Sequence, residues 1–86
     1  MKIIGIEKIR FEAKDGQIIS GKRFHTGEDI LADRGTGQAT GRFFMSDGKL
    51  ANLNFEPAVG NVIEIYFNRY GKVASMSLVD DLIDLG

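Results

Sequence analysis

Asn61-Val62-Ile63-Glu64-Ile65-Tyr66-Phe67-Asn68-Arg69-Tyr70-Gly71-Lys72-Val73 is the stretch on which the fold turns. Residues 61–67 carry the β-branched and aromatic side chains of a strand. Asn68-Arg69-Tyr70-Gly71 supplies turn residues, and a last strand follows from Lys72 to about Val79. The chain therefore closes on a β-hairpin whose turn holds an aromatic between two cations.

Moving outward, the same two-residue period recurs. Ile9-Arg10-Phe11-Glu12-Ala13 alternates as a strand with one buried face does, whereas Ile4 and Ile6 are apolar on the opposite parity. That switch predicts a bulge or sharp coil near Glu7-Lys8. Lys14-Asp15-Gly16 reads as a hairpin turn, and a second strand runs from Gln17 to about Thr26. Gly27 to Ala39 reads as a long connection, with one helical turn around Glu28–Ala32; it is either a functional loop or a solvated linker. A third strand covers Thr40–Met45, and Ser46 caps a short helix over Asp47–Asn52. Pro57 and Gly60 flank a turn before the final hairpin. Five short strands with one short helix between the third and fourth predict an all-β domain, a small five-stranded OB-like barrel. A different small barrel of SH3 type tolerates five strands but places its helical turn nearer the end.

Eighty-six residues make one domain with a thin core, expected over 1–79 and followed by an acidic-apolar tail at 80–86. There is no cysteine, so disulfides and thiolate chemistry are excluded. No signal peptide and no apolar run of membrane-spanning length is visible, which predicts a soluble cytoplasmic protein. Eleven basic and twelve acidic side chains nearly cancel. Three of the acids are Asp80, Asp81 and Asp84, so residues 1–79 carry eleven basic against nine acidic groups, a balance of +2.

Catalytic chemistry finds no foothold. His25 is the single histidine, which rules out a histidine cluster on a metal, and its simpler role is a half-exposed strand residue. Ser20, Ser46, Ser75 and Ser77 lack a nucleophile context, and the carboxylates scatter over turns and tail. The glycine-rich Gly35–Gly41 run lacks the Lys-Ser/Thr ending of a phosphate loop and leads into a strand. The expectation is a non-enzyme without cofactor or metal.

Cations and aromatics are more telling. Lys22-Arg23-Phe24-His25 lies in the second strand and Arg42-Phe43-Phe44 in the third, so either face combines a cation with a ring. Such surfaces serve single strands, whose bases stack on rings while phosphates meet cations. Of Phe43 and Phe44, one is expected in the core and the other partly outside. Tyr70 at a hairpin tip has little to pack against, unless it folds back over Pro57 or a partner subunit.

Val59-Gly60-x-x-Ile63-x-Ile65-x-Phe67-Asn68-Arg69-Tyr70-Gly71-Lys72-Val73, together with the size and strand order, resembles the small single-stranded DNA-binding proteins of bacteriophages and mobile elements. The filamentous-phage helix-destabilising protein is the type. That resemblance implies a dimeric OB-fold coating single-stranded DNA, with Lys22, Phe24, Arg42, Arg69, Tyr70 and Lys72 as nucleic-acid-binding residues, to which the shared face of Arg42 and Phe44 adds Phe44. The competing expectation is a protein-interaction module engaging a host or replication protein through the 27–39 loop or the tail. The tail itself docks on another protein, packs as a last helical turn, or frays.

Overall fold

The computed structural model describes residues 1–79. Its elements are β1 (Lys2–Glu12), β2 (Ile18–Asp29), β3 (Gln38–Ser46), α1 (Asp47–Ala51), β4 (Ile63–Phe67) and β5 (Val73–Leu78). The element order is the expected one. The expected closed barrel is not. The strands form two open sheets, β1-β2-β3 and β4-β5, joined by one isolated bridge between Lys2 and Val62. β3 approaches β5 without pairing to it. Strand length explains the gap. At about 3.3 Å per residue, β4 spans roughly 17 Å while β1 spans roughly 36 Å. So short a hairpin cannot line the edges of the long meander and close it into a barrel.

The molecule is correspondingly stretched, 48 × 29 × 26 Å, with a radius of gyration of 15.0 Å. A compact chain of this length would have about 12 Å. β2 is the spine. β3 ends opposite Gly21, leaving the β1–β2 hairpin to run on as a two-stranded ribbon, and β2–β3 runs past the start of β1 at the other end.

Cross-strand register assigns the faces. Phe24 pairs with Ile6 and Phe43, and with Thr26 and Met45 it points inward. Ile3, Phe24, Met45, Ile63, Val73 and Met76 form the buried core between the sheets, with Leu50 of α1, Leu53 and Phe55 packed on its flank. Phe24 and Phe43 stack, ring centroids 5.2 Å apart. Arg23, His25, Arg42 and Phe44 share the outer face.

Three local expectations need correcting. The irregularity in β1 lies between Ile3 and Gly5, where Ile4 is the extra residue, not at Glu7-Lys8. Ile9 and Phe11 simply stay on the outer face, where Phe11 is 49% exposed, so no parity switch is needed. The long 27–39 connection is strand at both ends: 27–29 extend β2 and 38–39 begin β3, Glu28 pairing with Ala39 and Asp29 with Gln38, which leaves 30–37 as the loop. No helical turn forms over Glu28–Ala32; the turn lies further on, where the Arg34 and Gly35 amides donate to the Leu31 carbonyl. A ribbon exposed on both sides has no apolar alternation to reveal it. Ser46 does cap α1, its hydroxyl accepting from the Lys49 amide at 3.4 Å. The tail expectation falls on 80–86, outside the described residues. No helix among the described residues is long and apolar enough to cross a membrane.

Candidate functional site

The last hairpin is built to hold its tip still. The Asn68 side-chain oxygen accepts from the amides of Tyr70 at 2.9 Å and Lys72 at 3.1 Å. Its backbone amide donates to the Lys72 carbonyl, and the Gly71 amide donates to the Asn68 carbonyl. Gly71 sits at φ +76°, a conformation that would strain any residue with a Cβ. On this frame Tyr70 is 72% exposed, with the Arg69 guanidinium 5.1 Å from its ring centroid. With so much of its surface open, the ring is not covered by Pro57. Phe67, the cross-strand partner of the core residue Val73, is 62% exposed.

A second cluster lies on the inner side of the β1–β2 ribbon. Lys8 and Lys22 are direct cross-strand partners, and Arg10 follows on the same face. Like charges opposite one another oppose pairing. Among the described residues, the ion pairs involve Glu7 with Arg23 and His25, and none reaches this trio. Lys8, Arg10, Ser20 and Lys22, with Asp47 of α1, line a groove of about 280 Å³. α1 also touches the hairpin, where the Lys49 ammonium donates to the Val73 carbonyl at 2.8 Å. The short helix thus adjoins both the cationic groove and the root of the Tyr70 hairpin.

The candidate residues read from the sequence divide accordingly. Arg69, Tyr70 and Lys72 stand together on the hairpin, and Lys22 lies in the groove. Phe24 is fully buried, so its ring is a core element with no surface to offer a base. Arg42 and Phe44 lie on the outer face of the meander, away from the inward-facing Lys22; the Phe44 ring leans over Gly21. Lys8, Arg10, Lys49 and Phe67 were not singled out in the sequence. A signal for Lys8 existed: counting back along the hairpin from Ala13 opposite Gln17 sets Lys8 opposite Lys22.

On the outer face, Glu7 accepts from His25 and lies 3.8 Å from Arg23, its direct cross-strand partner. The His25 hydrogen bond, with the charges of His25, Arg23 and Arg42 behind it, lowers the Glu7 pKa below its ordinary 4.5. A depressed carboxylate contributes stability above its unfolded value and loses it as pH falls through the folded one. Urea midpoints followed from neutral pH down through 4.5 should therefore fall less steeply in Glu7→Gln than in the parent. Identical acid limbs would show that the Glu7 contacts add nothing to stability.

Among the described residues, no group of three or more His, Asp or Glu is placed to hold a metal ion. No protein-family model matches the chain, and neither curated proteins nor solved structures yield a match. The likeness to phage-type single-stranded DNA-binding proteins is accordingly withdrawn, since the barrel it required is an open pair of sheets. The phage origin, dimeric state and cytoplasmic location drawn alongside it have no support in the structure.

Proposed function

We propose that the chain is a single-stranded nucleic-acid-binding module whose contact surface runs from the Lys8/Arg10/Lys22 groove, past α1, to the tip of the last hairpin. The observation that carries this reading is the Asn68-locked turn, which keeps Tyr70 72% exposed beside Arg69. Exposing an aromatic costs hydration free energy, and four hydrogen bonds hold the turn that exposes this one. A ring held in this way can stack a base without sequence preference. The unneutralised Lys8–Lys22 pair supplies the matching electrostatics, because a phosphate between two ammonium groups relieves the repulsion that the folded chain carries.

Segregation of charge supports the same surface despite a net charge of -1. Glu28, Asp29 and Asp33 fall at the β2–β3 end, in the last residues of β2 and in the 30–37 loop.

Fluorescence-polarisation titration of a labelled poly-dT oligonucleotide at low and physiological salt tests the proposal. Binding should be salt-sensitive and much tighter than to duplex. Tyr70→Ala should weaken it by about 1–3 kcal/mol. Lys8→Ala/Lys22→Ala should flatten the log–log salt slope by about 0.7, the figure for one lost phosphate contact on a single strand. The same double variant should fold at least as well as the parent, because it removes a like-charge pair. Absence of binding at low salt would overturn the proposal.

A further inference from the structure

β3 is one of the two edge strands of the meander, and its two halves have different surroundings. Around Met45, which is in the core, the strand is flanked by β5 and α1. Gln38, Ala39, Thr40, Gly41 and Arg42 are all exposed, and among the described residues no backbone group pairs with their outer edge. Folded proteins guard such edges with lysine, proline, bulges or inward charges. β1 follows that practice, with a bulge and with Glu7, Lys8, Arg10 and Glu12 along it. The open half of β3 has one charge, no proline and an unbroken register with β2.

Two concavities flank this edge, one on each face of the sheet. The outer one, about 440 Å³, is lined by Ile4, His25, Thr26, Thr40, Gly41 and Arg42. The inner one, about 150 Å³, has Met1, Glu28 and Ala39 with Thr26, Thr40 and Gly41. A strand added to a sheet edge sends alternate side chains to opposite faces, so paired recesses beside a bare edge are what strand addition requires. The outer recess carries the Arg42 guanidinium and the His25 ring, and among the described residues Arg42 has no acidic partner.

We infer that the Gln38–Arg42 edge is a docking site for an extended peptide segment of a partner protein, with an acidic side chain directed into the His25/Arg42 recess. Main-chain hydrogen bonds supply the attachment, the two recesses read alternate side chains, and charge complementarity fixes which one faces outward. The site is separate from the proposed nucleic-acid surface and stands or falls without it.

Selection from a displayed heptapeptide library, followed by binding and amide exchange on the full chain, tests this. Selected peptides should carry Asp or Glu flanked by β-branched residues at alternating positions. They should bind Arg42→Glu about tenfold more weakly, as like charges are brought together, with Arg42→Gln intermediate and both variants keeping the parent's urea midpoint. Binding should slow amide exchange at alternate residues of 38–42, the signature of a new ladder. Failure to enrich any peptide would overturn the inference, as would enriched peptides that leave those amides unprotected. Protection of the same amides by raising the concentration of the chain alone would overturn it too, assigning the edge to a second copy.

Discussion

Phe24→Ala is expected to destabilise the protein by about 3–5 kcal/mol, the range for emptying a buried phenylalanine site. Domains of this size have roughly 0.05–0.15 kcal/mol of stability per residue, so that loss removes a large part of the total. Among the described residues Phe24 is the largest of the fully buried side chains, and it sits in a core of six buried apolar residues. It pairs with Ile6 on one side and stacks on Phe43 on the other. Those neighbours sit on hydrogen-bonded strands and cannot collapse into the cavity. Urea denaturation of Phe24→Ala and Phe24→Leu measures the effect, with the leucine variant far less damaged. The experiment also separates core from surface: Phe24→Leu should bind poly-dT like the parent. A well-folded Phe24→Leu with lost binding would return that ring to the contact surface.

Gly21→Ala is the second large effect, and the mechanism is opposite. A Cβ built on Gly21 would collide with the Met45 carbonyl oxygen and stand 2.7 Å from the Phe44 Cζ and 2.9 Å from the Ser46 Cα. The Phe44 ring can swing aside, but the other two are backbone of the adjacent strand. Overpacking costs about 1–3 kcal/mol where side chains can adjust, and this site belongs at or beyond the top of that range. The double variant Gly21→Ala/Phe44→Ala should recover little, because the ring is not the main obstruction. Recovery of the parent's urea midpoint in that double variant would show that the backbone can yield here.

The element order was legible because the strands bury one face and turn at recognisable residues, as at Lys14-Asp15-Gly16 and Asn68–Gly71. Closure was not legible. Whether five strands seal into a barrel depends on relative lengths and on edge pairing, and the β3–β5 edge carries no mark in the sequence. Parity misled in β1, because Ile9 and Phe11 were assumed to face a core they do not touch. The Glu28–Gln38 ribbon was hidden for a related reason, as exposure on both faces erases alternation. At the candidate site, residues contiguous in sequence were found together, Arg69 to Lys72 above all. Lys8 and Lys22 needed register, and Phe24 needed the knowledge of which face turned inward. Cations and rings separated by one position land on one face, but the sequence alone does not say which.

The Lys2–Val62 bridge, with the Met1 ammonium donating to the Ile63 carbonyl, ties together chain positions about sixty residues apart. The β1-β2-β3 meander and the β4-β5 hairpin are each made of neighbours in sequence. Loop-closure entropy weighs on the first kind of contact and hardly on the second. The order of assembly follows: the meander zips first, the terminal hairpin forms on its own timescale, and the seam between them is the last to close. Growth of the chain from its N-terminus runs in the same direction, since Val62 cannot reach Lys2 until the meander has been synthesised. A substitution at the seam therefore speeds unfolding and leaves the folding rate almost unchanged.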